Sequence, residues 1–345
     1  MADTFNYRID HHGSLVRPPE LAAARAAGDP EALRAAETAA VREAVALQRR
    51  IRSTVVTDGD FPRADFRGAV LDTVSGFRRT GETDPDGLTR WVAESLPKAN
   101  GPLLADRAGR LTALTVVAVK VSLPSPAYLA ATTFDPALAA SGGPASAREL
   151  GEALAEIIHA EVESLVAQGV RLIQLNNPLL AGHLAVDPAA GALSFEDTLA
   201  VEALAVRLDE RPEGVRLGVS IGPRAPAAVD RAAAEHLYGE VPADRWILPY
   251  DQGTDAEADL LRALPEDRDA CLGVVDATTA ELEEIDTVMA RIDAAAELKD
   301  LEDMALSPSR GFADVADRPL LSAEDQRRKL VLVETLARYC WGNEF

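Results

Sequence analysis

The chain has 345 residues, 47% of them hydrophobic but only 5% aromatic, and it carries 56 acidic against 35 basic side chains for a formal charge of −21. That length holds one large barrel or two ordinary domains, with a core built mostly from Ala, Leu and Val. So acidic a surface argues against nucleic acid, whose phosphates are held by clustered Lys and Arg, and the two distant cysteines, Cys271 and Cys340, exclude a disulfide scaffold and a thiolate-rich metal site.

In chain order, the opening MADTFNYRIDHHGS has no apolar signal segment, and no apolar run is long enough to cross a bilayer, so the expectation is a cytoplasmic protein without a membrane partner. Asp29-Pro30-Glu31 reads as an N-cap with Pro at the first helical position, opening a helix to Arg52. A β-branched run at 54–57 ends in Asp58-Gly59-Asp60, and a second at 114–123 contains Lys120. Ser141-Gly142-Gly143-Pro144 is a loop, followed by a helix over 147–168 that Gly169 closes. The run at 170–175 ends in Asn176-Asn177-Pro178, and 187–192 looks like a hairpin or insertion tip. Further runs at 215–221, 246–250 and 271–275 end in Gly222-Pro223, Asp251 and Asp276. A helix over 279–298 has Glu281, Glu283 and Glu284 near its start and Arg291 and Lys299 towards its end, a polarity that complements the helix dipole. The last run, 304–306, ends in Ser307-Pro308.

Short runs buried on both faces suit parallel strands. Their alternation with helices predicts an α/β protein, and no Gly-rich fingerprint follows the first strand to suggest a dinucleotide fold. Seven strands are clear and a weak eighth falls near the amino terminus, so the reading is a single (β/α)8 TIM barrel domain over 1–345. Barrel chemistry sits at the carboxyl ends of the strands. That rule selects Asp58, Asp60, Lys120, Asn176, Asn177, Ser220, Tyr250, Asp251, Asp276, Ser307 and Arg310. Each of these types also caps helices and turns, so their joint polarity at one rim is the stronger signal.

Several segments then fall into a familiar order. His11-His12-Gly13-Ser14-Leu15-Val16-Arg17-Pro18 resembles the HVGSLLRP opening of short cobalamin-independent methionine synthase homologues. Val56-Thr57-Asp58-Gly59-Asp60-Phe61, with Arg63, resembles their VTDGEFRR, and Leu123-Pro124-Ser125-Pro126 their PSP loop. The segments at 173–178, 272–276 and 306–312 resemble IQIDEP, LGVVD and LSPQCGF. The resemblance runs from about residue 5 to residue 342 and implies a barrel that transfers a methyl group from a methylated folate to a thiol.

It also implies a zinc ion that lowers the pKa of the acceptor thiol, held by a His-x-Cys pair, a Glu and a late Cys. Here those positions carry Gly218 and Ser220, Pro249, and Arg310, so no zinc is expected. Where the resemblance implies a carboxylate for a substrate ammonium group, Asn176 and Asn177 stand, while the DGE carboxylate persists as Asp60. Arg17, Arg63 and Ser125 stand in the matching motifs and join Asp58, Asn176, Asn177, Ser220, Tyr250, Asp251 and Ser307 as candidate substrate-binding residues. Arg310 could hold a carboxylate, phosphate or sulfonate, or could simply pair with Asp251 or Asp276. His11 matches the opening His and His12 replaces an apolar residue; with Asp60 and Arg310 they form the candidate catalytic set. His11, His12 and His183 are the histidines from which a new metal site could form, although their spacing does not demand one.

Three functions fit. The first is a zinc-free methyl or alkyl transferase acting on a non-thiol small-molecule acceptor, with 5-methyltetrahydrofolate a candidate donor. The second is a metal-free lyase or decarboxylase, by likeness to uroporphyrinogen decarboxylase. The third is a non-catalytic ligand-binding descendant. The apolar tail at 330–341 could pack on the barrel or on a second subunit of a homo-oligomer.

Overall fold

A computed structural model of the chain describes residues 7–84 and 87–343. Nine strands form among the described residues, seven of them at the β-branched runs, although the run at 114–123 becomes a strand only at Ala118. These are β1 (Val55–Val56), then the antiparallel β2 (Val74–Thr83) and β3 (Thr89–Ala99), then β4 (Ala118–Pro124), β5 (Leu172–Asn176), β6 (Arg216–Ser220), β7 (Arg245–Pro249), β8 (Asp269–Val275) and β9 (Met304–Pro308). All but β2 and β3 form one curled parallel sheet in the order β1-β4-β5-β6-β7-β8-β9, with helices between successive strands. Its strands are buried almost throughout, as parallel strands covered on both faces must be.

The two edges of that sheet do not face solvent unpaired. Between them runs an extended segment, residues 8–10. Leu306 N donates to Arg8 O (2.8 Å) and Asp10 N to Leu306 O (2.9 Å) on the β9 side. Thr54 N donates to Ile9 O (3.2 Å), and Ile9 N to Thr54 Oγ1 (2.9 Å), beside β1. Asp10 then reaches inward. Its Oδ1 lies 2.6 Å from Lys120 Nζ on β4, and its Oδ2 lies 3.7 Å from Arg245 on β7. All three side chains are sealed from water. Burial alone would raise the Asp10 carboxyl, but Lys120 and Arg245 outweigh it and hold the group below its ordinary range.

Of the two readings of residues 187–192, the loop tip is what forms, with no strand; the hairpin lies in β2–β3 instead. Its faces are largely polar and are laced by Arg78–Glu94 and Arg90–Glu82 pairs, so it lacks the half-apolar alternation that marks a strand in sequence. The helix expected over 279–298 begins only at Ile285. Glu283 is held outside it, because its carboxylate accepts from Asp276 N (2.7 Å) and pairs with the buried Lys329 (3.1 Å). The tail forms the helix Ala323–Trp341, which packs Leu332, Val333 and Leu336 onto β8 and β9 of its own sheet. Elsewhere Asp29 caps its helix as expected, accepting from Glu31 N and Ala32 N. Among the described residues no helix is long and apolar enough to cross a membrane.

Replacing Asp10 by Asn leaves Lys120 and Arg245 buried without their carboxylate. Breaking one side of such a pair costs about 3–5 kcal/mol. Urea denaturation at neutral pH should show a loss of that size, and a change below about 1 kcal/mol would mean that the pairing contributes little.

Candidate functional site

At the carboxyl ends of the strands the loops enclose a cleft of about 680 Å³. Two backbone devices shape it. In Asp58-Gly59-Asp60 both Gly59 (φ 70°) and Asp60 (φ 57°) adopt the left-handed conformation, which an aspartate tolerates better than most residues. Asp58 Oδ1 supports the turn by accepting from Asp60 N (2.9 Å), and the turn carries the Asp60 carboxylate to the cleft wall. After β9 the chain passes so close to Ser14 that a Cβ on Gly311 would lie 2.0 Å from Ser14 Oγ and 2.2 Å from Asp314 Oδ1, so any larger residue would have to displace that hydrogen-bonded pair.

Six of the fourteen candidate residues line this cleft: His12, Asp60, Asn176, Asn177, Ser220 and Arg310. Two more stand directly behind them. Arg63 pairs with Asp60 (3.1 Å) and donates to Ser122 O (2.9 Å), and Ser125 caps the helix Pro126–Thr133. The other six lie outside the lining. Arg17 staples loops together by donating to the carbonyls of Asp60, Arg63 and Ala313. Asp58 braces its turn, Tyr250 belongs to the core, and Ser307 Oγ bonds to Pro308 O in the protein interior. Asp251 offers its carbonyl to Arg291. The His11 ring is buried beside Gln48 and the Val55 backbone.

Two of the charged groups in the cleft are held by ion pairs. Arg310 meets neither Asp251 nor Asp276 but Asp314, at 2.8 Å, and Ser14 Oγ donates to the other oxygen of Asp314 (2.7 Å). Asp60 is answered by Arg63, yet burial wins and pushes its carboxyl up to about 6, with Asp58 adding to the rise. Burial also lowers His11 and His12 to about 4, so both rings are neutral near pH 7. His12 has a neighbour in Gln174, whose Nε2 lies 3.5 Å from His12 Nδ1 and donates to Asn176 Oδ1 at 2.6 Å.

Sequence reasoning missed Ser14, Asp314, the aromatic walls Phe66 and Tyr128, and Leu88 at the base of the β2–β3 turn. It also missed Glu202, on the helix Phe195–Ala205. The Glu202 side chain is fully buried; Oε1 accepts from Ser125 Oγ (2.6 Å) and Asn177 Nδ2 (2.7 Å), while Oε2 has no hydrogen-bond partner. Burial raises it to about 7, partly offset by those two bonds. The available signal was its place on the apolar face of that helix, in line with Thr198, Leu199 and Ala205.

The four positions that the resemblance assigned to zinc offer little to a metal. Gly218 has no side chain, and a Cβ there would sit 3.0 Å from Ile247 Cδ1. Ser220 offers one hydroxyl, Pro249 offers nothing, and Arg310 is a cation held by Asp314. Among the described residues no three His, Cys, Asp or Glu side chains gather as metal ligands, and His183 stacks on Phe195 at 5.7 Å instead of joining His11 and His12.

No protein-family model matches the chain. Two uncharacterized Bacillus subtilis proteins align along nearly all of it. YxjH is 26% identical over 370 positions, and YxjG 25% over 364, each alignment covering 97% of this chain and 95% of the relative. Among solved structures, a B12-independent methionine synthase from Shewanella sp. W3-18-1, in complex with selenomethionine, superposes with a TM-score of 0.77 at 18% identity, covering 96% of this chain and 97% of that one. A Listeria monocytogenes protein assigned as a vitamin-B12-independent methionine synthase gives 0.73 at 22%, with 98% of each chain covered. A methyltransferase from Methanosarcina mazei gives 0.55 at 12%, over 96% and 94% of the two chains. The likeness is one of fold. The α/β architecture with a curled parallel sheet is therefore a known one, and the cleft lies at the strand ends where such folds carry their chemistry.

Two pH effects follow from the buried groups. Glu202 has a folded pKa above its ordinary 4.5, so its contribution to stability is full below 4.5 and is lost as pH rises through about 7. Glu202→Gln keeps an acceptor for Ser125 and Asn177 and removes the ionisation. It should match the wild type near pH 5 and exceed it by about 3 kcal/mol at pH 9 in urea denaturation. His11 and His12 act oppositely. Their contribution is present above 6.5 and is lost as pH falls towards about 4, and NMR titration should show both rings neutral down to that value.

Proposed function

We propose that the chain is an enzyme transferring a methyl or related alkyl group between small molecules, without zinc, to a non-thiol acceptor. On this reading residues 8–10 serve as the eighth stave of a single (β/α)8 barrel. The fold likeness to proteins described as methionine synthases and a methyltransferase supports group transfer, and 5-methyltetrahydrofolate is the first donor to test. Gly218, Ser220, Pro249 and the paired Arg310 do not fit a zinc ion of the kind the resemblance implies, so no step runs through one. A nitrogen acceptor with an available lone pair needs no metal to become a nucleophile.

The observation that carries this reading is Asp60, a cleft-lining carboxyl raised to about 6. The acceptor nitrogen attacks the methyl carbon as the carbon–nitrogen bond of the donor breaks. The donor nitrogen keeps the electron pair and takes a proton, and the acceptor gives one up. A carboxyl titrating near 6 can deliver the first proton and accept the second, returning to its starting state. Arg63 fixes the carboxylate in place, and the aromatic walls Phe66 and Tyr128 exclude water from the transfer. The lyase alternative needs a guanidinium for a substrate carboxylate, but Arg310 and Arg63 are already paired with Asp314 and Asp60.

Methylated product should be detectable by mass spectrometry when 5-methyltetrahydrofolate is incubated with a panel of amine acceptors. Asp60→Asn should lower that turnover about 10²–10⁴-fold with circular dichroism unchanged. Turnover that needs one zinc per chain and disappears on chelation would sink the zinc-free assignment. Failure to bind any reduced folate would remove the folate donor.

A further inference from the structure

Hydrogen-bond accounting on the cleft floor points to the chemical group that it recognises. Asn177 has a protein partner at each end of its amide: Nδ2 donates to Glu202 Oε1 (2.7 Å) and Oδ1 accepts from Leu179 N (3.1 Å). Asn176 is half engaged. Its Oδ1 accepts from Gln174 Nε2 at 2.6 Å, which leaves the Nδ2 hydrogens for the cleft. The same Gln174 nitrogen lies 3.5 Å from His12 Nδ1, at the long limit of a hydrogen bond. With the Gln174 amide in this orientation its N–H faces Nδ1, an arrangement that suits neutral His12 carrying its hydrogen on Nε2. That Nε2 is buried and has no partner in the protein. Gln174 Oε1 is likewise without a partner, and Gln174 itself is sealed in the barrel on β5. The charges that act on His12 come from three elements: β4, the segment 8–10 and the loop after β9. Lys120 and Arg310 oppose its protonation and Asp314 and Asp10 favour it, but burial exceeds all four and keeps it neutral.

We infer that His12 Nε2–H and Asn176 Nδ2–H form a donor pair, oriented by Gln174, that binds an acceptor oxygen of the substrate: the carbonyl of an amide or one oxygen of a carboxylate. This rests on the reading of the cleft as the substrate site. One nitrogen holds both side chains, so their free ends share one polarity. Ser220, the register partner of Asn176 on β6, adds a hydroxyl that can also donate. An acceptor placed here meets converging donors and satisfies the buried His12 nitrogen, whereas an ammonium group would meet donors alone. Gln174 is a positioning residue: it acts on the substrate only through His12 and Asn176.

The test uses the intact protein labelled with ¹⁵N at histidine and in side-chain amides. Long-range ¹H–¹⁵N NMR at pH 7 should find His12 in the Nε2–H tautomer. Isobutyramide, isobutyrate and isopropylammonium, three probes of matched shape, are then titrated. The amide and the acid should shift the His12 and Asn176 signals and bind about tenfold more tightly than the ammonium. Gln174→Glu replaces the shared donor with an acceptor; it should move the His12 hydrogen to Nδ1 and reverse the probe preference. Asn176→Asp, on the exposed side of the network, should reverse the preference even if the buried glutamate impairs folding. An Nδ1–H tautomer in the wild type, equal or tighter binding of the ammonium, or no shift at His12 and Asn176 with any probe would overturn the inference. None of these readouts needs turnover, so an absence of methyl transfer would remove the proposed reaction without touching the donor pair.

Discussion

A single carboxylate, Asp10, ties together three parts of the molecule that are distant in sequence. It belongs to the extended segment that lies between the two edges of the parallel sheet, and its partners Lys120 and Arg245 project from β4 and β7. A short segment with so few ladder bonds has little of its own to hold it, and its register would be weakly specified by backbone pairing. Fixing one side chain between two cations inside the curled sheet supplies that specification. Two residues later the same segment delivers His12 to the cleft, so the geometry of the site inherits the placement of Asp10. The pair costs desolvation, and its role is better described as choosing one arrangement than as adding stability.

Above this level the cleft has an unusual economy of charge. Asp60 is matched by Arg63 and Arg310 by Asp314, while His12, Asn176 and Ser220 face the cavity as neutral groups. At these positions a ligand meets paired or neutral groups, so recognition there falls to directional hydrogen bonds and to the shape set by Phe66 and Tyr128. Glu202 extends the same pattern one layer back, as a buried acid with no cation beside it that joins Ser125 to Asn177.

The sheet was legible because covered parallel strands must be apolar on both faces, which leaves an unmistakable run of Val, Leu and Ile. The β2–β3 hairpin was not, because its largely exposed faces carry no such constraint, although Asp84, Gly87 and their neighbours form a turn-like sequence. Strand ends pointed correctly to the rim, so Asp60, Asn176 and Ser220 could be named from position alone. Position could not say which way a rim residue turns: Tyr250 and Ser307 turn into the protein, and Asn177 is consumed by Glu202. Nor could it find Asp314, four residues beyond Arg310, because loop conformation decides whether those two side chains meet.

The close contact at Gly218 bears on what a designer would have to change to place a metal in this cleft. The space where a side chain at 218 would begin is filled by Ile247, and the position across the cleft is occupied by an arginine anchored to its own aspartate. A histidine at 218 would press on Ile247, and a thiol at 310 would strand Asp314 without its cation. Building a metal centre at these positions would therefore take several coordinated changes, Ile247 and Asp314 among them.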